Sequence, residues 1–400
     1  MSSLTIGSAL PADWDELMDA LLGAFSGGWL NHPPFDALYP DALVPTPECL
    51  RDIIVAKRGG RIVGGVQFVR QRLRLGGGTE LLNGGVGQVF CIPEERKGGV
   101  MTATLGAAIA AMETAGCHVS LLGGDRQRYR RFGWENAGQM RHYALTARAI
   151  DDGGGAGRGG GAAAGGICGT PRRWHHDAAT LDRFHAALDA RPFGVARSRD
   201  QLAATLRRPG TALWTLDAAD GFAGILLAGN TVSEYGGQPA AFAALLANLV
   251  GRNGLSADIA GHDGPDPLDA VLWRHAATFA VHQAGMVRVF RVGAILEAFR
   301  PLLERRLCEW QGEVVFAVCD GDAVCERVLV RRPGGGRLRV QTLAASDGAG
   351  TARVEAFSRA EWAPLLFGPF PPPAAARVQD ERFVRLAFPL PLLWPPTAHV

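Results

Sequence analysis

Val89-Phe90-Cys91-Ile92-Pro93-Glu94-Glu95-Arg96-Lys97-Gly98-Gly99-Val100-Met101 reads as a β-strand, a proline-marked turn and a basic, glycine-rich loop that opens a helix. The start of a helix carries backbone N–H groups with no intrahelical acceptor, together with the positive end of the helix dipole. Glycine lets such a backbone approach an anion closely, and Arg96 and Lys97 add charge. The stretch is a phosphate cradle on a strand–loop–helix unit, and it implies a ligand that bears a pyrophosphate. It lacks the Gly-Lys-Ser/Thr ending of a P-loop, and no Gly-x-Gly-x-x-Gly opens its helix.

The flanks fit a compact unit built around that loop. Downstream, Leu105, Ile109 and Met112 recur at helical spacing, and Gly116 is placed to end the helix. His118 to Leu122 reads as a short buried strand, broken by Gly123-Gly124-Asp125, and Arg126 to Gly133 as a short basic helix. Upstream, Pro11 to Ala24 predicts an amphipathic helix with Trp14, Leu17, Leu21 and Ala24 on one stripe. Ile53 to Lys57 and Arg61 to Leu73 predict strands joined at Gly59-Gly60, a hairpin turn. Gly76-Gly77-Gly78 turns the chain into a further extended stretch that ends at Ile92.

Two motifs carry a family resemblance. Arg96-Lys97-Gly98-Gly99-Val100-Met101 resembles the acyl-CoA loop of the GNAT acetyltransferases, Arg/Gln-x-x-Gly-x-Gly/Ala, with Met101 standing where Gly or Ala is usual. Tyr129-Arg130-Arg131-Phe132-Gly133-Trp134 resembles the Tyr-x-x-Phe-Gly-Phe/Tyr element that closes the cofactor groove in that family. The order helix, meandering strands, loop, helix, strand, helix, strand fits the GNAT fold, a mixed and mostly antiparallel sheet with helices on both faces.

Composition bounds the rest. With 400 residues the chain is too long for one core of ordinary size, and its 47% hydrophobic content supports folded globular domains. A net charge of +2 indicates neither a nucleic-acid partner nor a polybasic membrane surface. No apolar run is long enough to span a bilayer, and no signal-peptide pattern opens the sequence. The seven cysteines, Cys49, Cys91, Cys117, Cys168, Cys308, Cys319 and Cys325, include no Cys-x-x-Cys pair. They read as free thiols in a reducing cytoplasm. His175-His176-Asp177 and His262-Asp263 lack further ligands at a recognisable spacing, so no metal site is expected, and Asp177 is placed to cap a helix.

Three blocks follow. Residues 1–150 hold the motifs above, and residues 151–167, mainly Gly and Ala, read as a linker or surface loop. Residues 168–295 repeat a helix–hairpin–helix rhythm without the Arg-x-x-Gly-x-Gly loop. Thr180 to Ala190, Gln201 to Leu206, Ala240 to Val250 and Pro267 to Gln283 are expected to be helical. Ala212 to Leu216 and Phe222 to Ala228 are expected to be strands. Residues 296–400 begin with an expected helix at Glu297 to Arg306. Strands are expected at Glu313 to Asp320, Ala323 to Val330, Arg337 to Thr342 and Thr351 to Glu355, then a Ser358-capped helix and a proline-rich tail from Pro389 to Val400. The expected class is α/β (α+β), with tandem GNAT folds of mixed sheets flanked by helices and a C-terminal α+β domain similar to sterol carrier proteins.

That three-part organisation resembles the Eis family. The resemblance implies an N-acetyltransferase that uses acetyl-CoA as co-substrate, a small primary amine as acceptor (aminoglycoside-like, polyamine or lysine-like), and a homo-oligomer, a hexamer in that family. It implies cofactor contacts at Val89, Phe90, Cys91, Lys97, Gly98, Gly99, Val100, Met101, Thr102, Gly124 and Asp125, with Arg96 as an added contact. Tyr129 corresponds to the family's general acid. The general base there is the C-terminal carboxylate, here that of Val400, where an aromatic residue is usual. The apolar, proline-stiffened run Pro389 to Pro396 is suited to dock such a tail inward. Asp36, Asp41, His32 and Trp29 are candidates for an amine pocket or ordinary loop residues. A non-catalytic acyl-CoA-responsive or lipid-binding protein is the alternative.

Overall fold

The computed structural model describes residues 3–25, 33–153, 169–219, 221–253, 255–260, 266–344, 354–392 and 394–399. Its first sheet starts with β1 (Leu4–Ser8), β2 (Ile53–Arg58) and β3 (Arg61–Leu75), each antiparallel to the next. β2 and β3 form a hairpin at Gly59-Gly60, where φ is 60° and 85°. Positive φ at both positions is what a two-residue turn matched to strand twist requires, and glycine supplies it without strain. β4 (Glu80–Cys91) returns antiparallel to β3. α4 (Val100–Thr114) then carries the chain to β5 (Val119–Leu122), which lies parallel to β4. The remaining helices of this part are α1 (Trp14–Phe25), α2 (Phe35–Leu38), α3 (Pro47–Arg51) and α5 (Arg126–Tyr129).

The sheets do not follow the chain block by block. β6 (Glu135–Ala137) is joined to β5 through the strand Gly285–Val289, which is antiparallel to both. The strand Phe193–Ala196 extends the same sheet by pairing with the far end of β3. In return, β7 (Met140–Leu145) leaves the first sheet for a second, seven-stranded one, where it pairs with Ser256–Ala260 and Ala276–His282. Residues 1–150 and 168–295 thus exchange strands. The third unit holds a four-stranded sheet in which Gly312–Asp320 runs parallel to Val354–Ser358. The fold is α/β, with several mixed sheets flanked by helices.

Two expected helices are corrected. The helix from Pro267 ends at His275, and Ala276–His282 is an edge strand against β7. Thr278, Phe279 and Val281 favour extended backbone, and the distant partner strand β7 decides the matter. Glu297 to Arg306 is two helices, Val292–Ala298 and Arg300–Arg306, with Pro301 in the first turn of the second. Proline has no N–H to give to a continuing helix, so it sits where that loss costs nothing. The Ser358 cap is present, as a capping box with Glu361. Of the linker, residues 154–167 lie outside the described residues, as do 351–353 of the expected strand Thr351 to Glu355.

The tail is part of the core. Leu390, Leu392, Trp394 and Ala398 are each at most 1% exposed. Trp394 packs on Gly285, where an added Cβ would come within 2.8 Å of the indole. Gln71 Nε2 on β3 donates to the Ala398 carbonyl at 2.8 Å, and Arg208 Nη1 donates to the His399 carbonyl at 2.7 Å. Thr397 joins Ser233 at 3.1 Å and also donates to Glu234, both on the second sheet. The last described residues therefore bridge all three units. Trp394→Ala is expected to cost about 3–5 kcal/mol by opening a cavity. Denaturant unfolding would measure the loss, and limited proteolysis would show the tail released.

Candidate active site

The site begins with an extra residue in β4. Gly65 faces Phe90 and Gln67 faces Gly87 across the β3–β4 ladder, so three steps on β4 match two on β3. Gln88 absorbs the excess with φ of 48°. Such a bulge bends and twists its strand. β4 and β5 pair at Asn83↔Val119 and Val86↔Leu122, and beyond Val86 β4 has no registered partner on that side. Gly123-Gly124-Asp125 carries the other strand away, with Asp125 capping α5 through the Gln127 N–H at 2.9 Å. A wedge opens between the two strands, and its backbone groups are available to a ligand that lies along it.

At the wide end of the wedge sits the loop. Pro93–Glu95 forms a single 3-10 turn, and Gly98 N–H closes back on the Glu95 carbonyl at 3.2 Å. Lys97 and Gly99, with φ of 68° and 81°, turn the backbone into the start of α4. The N–H groups of Val100, Met101 and Thr102 lie in that helix's first turn, where no intrahelical carbonyl reaches them. A cleft of ≈ 610 Å³ lies over them. Its walls include Val89, Phe90 and Cys91 of β4, Arg96, Lys97, Gly99, Val100, Met101 and Thr102 of the loop and helix, and Ala24 and Phe25 of α1. Arg128 and Arg131 line it from the side of α5. Four basic residues thus surround one cleft, while Glu95 is neutralised by Arg58 at 3.0 Å. Gly98 lies within the loop but off the cleft wall, and Gly124 and Asp125 belong to the far strand of the wedge.

Tyr129 closes the narrow end. Its ring lies against Gly124, where an added Cβ would come within 2.8 Å of Cε2, and edge-on to Trp134 at 6.5 Å. It belongs to the packed cluster of Val86 and Leu122, the last residues at which β4 and β5 meet. Burial raises its phenol above the ordinary 10.0, partly opposed by Arg128, so the hydroxyl keeps its proton at neutral pH. Glu135 holds the helix that carries it, pairing with Arg126 and, at 3.1 Å, with Arg130. Burial pushes the Glu135 carboxyl up, but Arg126, the Asn136 N–H and Arg130 outweigh it and hold the group below its ordinary 4.5.

The other candidates are placed as follows. Asp41 is committed to Arg208 through two contacts at 2.6 and 2.8 Å, and Thr205 donates to it at 2.7 Å. Asp36 accepts from the Ala37 N–H beside it. Trp29, His32 and Val400 lie outside the described residues, as does His262-Asp263. Asp177 caps the helix Ala178–Asp189 through the Thr180 N–H at 2.8 Å. Among the described residues, no cluster of three or more His, Cys, Asp or Glu could hold a metal ion, and no helix is long and apolar enough to cross a membrane. Arg208, which clamps Asp41 and the chain's last described carbonyl, has no sequence signal, because its partners lie 167 and 191 residues away.

Residues 11–137 match the family model described as an acetyltransferase (GNAT) domain. The class that this match and the wedge define is the GNAT N-acetyltransferase, and the chain carries one such domain. Over nearly its whole length the chain is also similar in fold to solved structures. A GCN5-related N-acetyltransferase from Kribbella flavida is similar over 96% of each chain, at 17% identity and a TM-score of 0.65. Eis1 from Mycobacterium abscessus is similar over 96% of each chain, at 17% identity and a TM-score of 0.61. A GCN5-related N-acetyltransferase from Anabaena variabilis is similar over 98% of each chain, at 16% identity and a TM-score of 0.62. At these identities the likeness is one of fold. No curated protein matches the sequence.

Glu135→Gln is expected to remove about 1–3 kcal/mol of stability at neutral pH by unpairing two arginines. A carboxyl held below its ordinary value contributes stability that is full above that value and is lost as pH falls through the folded-state value. The Tm gap between wild type and variant should therefore be widest near neutrality and close below about pH 4.5.

Proposed function

We propose that the chain is an Eis-like N-acetyltransferase that moves the acetyl group of acetyl-CoA to a primary amine by direct attack. The observation that carries this reading is the wedge beyond Val86 and Leu122, with a basic helix start at one end and a buried tyrosine at the other. In this reading the N–H groups of Val100, Met101 and Thr102, with Arg96, Lys97, Gly98 and Gly99, hold the pyrophosphate. Val89, Phe90 and Cys91 line the pantetheine arm, and Gly124 and Asp125 flank it from the other strand. Contacts at these residues leave the thioester near Tyr129.

A primary amine is protonated at neutral pH and must lose a proton before it attacks. The carboxylate of Val400 is assigned that proton. The two residues before it, Ala398 and His399, are held through their carbonyls by Gln71 and Arg208. The amine nitrogen then bonds to the carbonyl carbon, the C–S bond breaks as Tyr129 gives its proton to the departing thiolate, and the second proton shed by the nitrogen as the amide forms returns to the Tyr129 oxygen. Holding both reactants in the wedge supplies much of the rate. The third unit is assigned to the sterol-carrier-like class by its place in the chain. Phe316, Phe357, Trp362 and Phe383 occupy its interior with ring centroids 5.2–6.4 Å apart, which favours a packing role over lipid carriage.

Calorimetry with acetyl-CoA, followed by CoA release with a panel of amines, tests the reading. Acetyl-CoA should bind, and at least one amine should release CoA. Binding without turnover on any amine would overturn the enzyme. Tyr129→Phe should lower kcat about 10²–10⁴-fold, the range for lost general acid catalysis. An acid must hold its proton, and this phenol's affinity for it is raised. No alkaline fall in kcat should therefore trace to Tyr129 below about pH 10. Removing the last few residues should cut kcat while acetyl-CoA still binds.

A further inference from the structure

The arginines that follow Asp125 divide between two tasks. Arg126 and Arg130, four residues apart, turn to one side of their segment and share Glu135, the second at 3.1 Å. Arg128 and Arg131, three residues apart, turn to another side and line the basic cleft. Arg131 reaches across to the first turn of α4, where its Nη2 donates to Thr102 Oγ1 at 3.3 Å. Its guanidinium also lies over the Phe132 ring, 4.7 Å from the centroid.

Among the described residues, none of the cations that line the cleft, Arg96, Lys97, Arg128 and Arg131, has a carboxylate partner. Glu95, the acidic residue on the same wall, is taken by Arg58. Residues 26–32, which follow Phe25 in the chain, contain no Asp or Glu. A cavity of ≈ 530 Å³ over another helix start, at Pro239, is different. Its arginines are each paired, Arg183 with Asp217 at 2.5 Å and Arg191 with Asp266. Like charges gathered around one cleft repel one another and focus a positive potential into it, which a ligand of matching negative charge relieves.

A diphosphate bridge carries one negative charge on each phosphate. In the proposed complex Arg96 and Lys97, beside the helix start, match those charges and leave the two cations on the α5 side unused. A phosphate monoester would bring about 1.5–2 further negative charges and three acceptor oxygens at neutral pH. The planar guanidinium group suits such an acceptor, because it can donate two parallel N–H bonds. Coenzyme A carries one phosphate monoester, on the ribose 3′ oxygen, in addition to its diphosphate.

We propose that Arg128 and Arg131 bind the ribose 3′-phosphate of the coenzyme and make the site select coenzyme A over its 3′-dephosphorylated form. This rests on the acetyltransferase reading for the identity of the cofactor. The helix start and loop grip the diphosphate that both forms share, and the two arginines read the group that only the complete coenzyme has.

The test is calorimetry with CoA and 3′-dephospho-CoA on wild type, Arg131→Gln and the Arg128→Gln/Arg131→Gln double variant. Both residues are exposed, so the variants should keep the wild-type Tm. Binding is read rather than turnover, because Arg128 also acts on the Tyr129 phenol. Wild type should bind CoA about 10–100-fold more tightly than 3′-dephospho-CoA, the range for hydrogen bonds to a charged group. The preference should shrink as salt is raised, because exposed charges are screened. The double variant should bind the two forms equally, with its affinity for 3′-dephospho-CoA at the wild-type level, and Arg131→Gln should fall between. Equal affinity of wild type for both forms would overturn the proposal. An equal loss for both forms in the double variant would do the same, since the arginines would then serve the diphosphate. A CoA preference that depends on these arginines, in a protein that releases no CoA with any amine, would uphold the assignment while removing the transferase reading. A wild type that binds neither form would overturn both.

Discussion

The site depends on β4 parting from β5. Two parallel strands joined by a helix would ordinarily close their ladder along their shared length and leave no room for a ligand between them. Here the added residue at Gln88 bends β4 away just after its pairing at Val86, while glycines at 123 and 124 release the other strand. Everything chemical is arranged around that opening. The helix start of α4 faces one end because α4 is the connection between the two strands. Tyr129 faces the other because the chain leaves β5 straight into α5.

Around this opening the three units are tied by exchange rather than by simple contact. The strand Gly285–Val289 fills the gap between β5 and β6, and β7 completes the neighbouring sheet. Arg359 of the third unit donates to the Val289 and Phe290 carbonyls at 3.0 and 2.7 Å while its Nε meets Asp320. A buried guanidinium with all these partners is costly to disturb, because removing one side strands the other. A chain of hydrogen bonds also runs from the Leu121 N–H through Asn83 and Gln71 to the Ala398 carbonyl, linking the wedge to the docked tail.

Much of this was legible in the sequence, and the rest was not for definite reasons. The loop 93–101, the Gly59-Gly60 turn, the Ser358 cap and the inward-docking tail are local chemistry, readable from neighbouring residues. The edge strand Ala276–His282 has a helix-like sequence because its alanines suit either state, and its partner β7 is remote. The exchange of strands between blocks has no local signature, since periodicity records which face is buried and not against what. The pairing of Asp41 with Arg208 and the strain at Gln88 are likewise products of tertiary register. A bulge shifts a ladder by one residue without altering the hydrophobic pattern enough to announce itself.

The insertion of Gly285–Val289 beside β5 has a consequence for biosynthesis. When the nascent chain has passed Leu122, one edge of its first sheet is still bare, and the segment that covers it has not been made. At usual elongation rates the ribosome needs on the order of ten to thirty seconds to reach Gly285. Throughout that interval an apolar, fully buried strand of the finished protein must wait uncovered, so the catalytic half of the molecule matures only after most of the polypeptide has emerged.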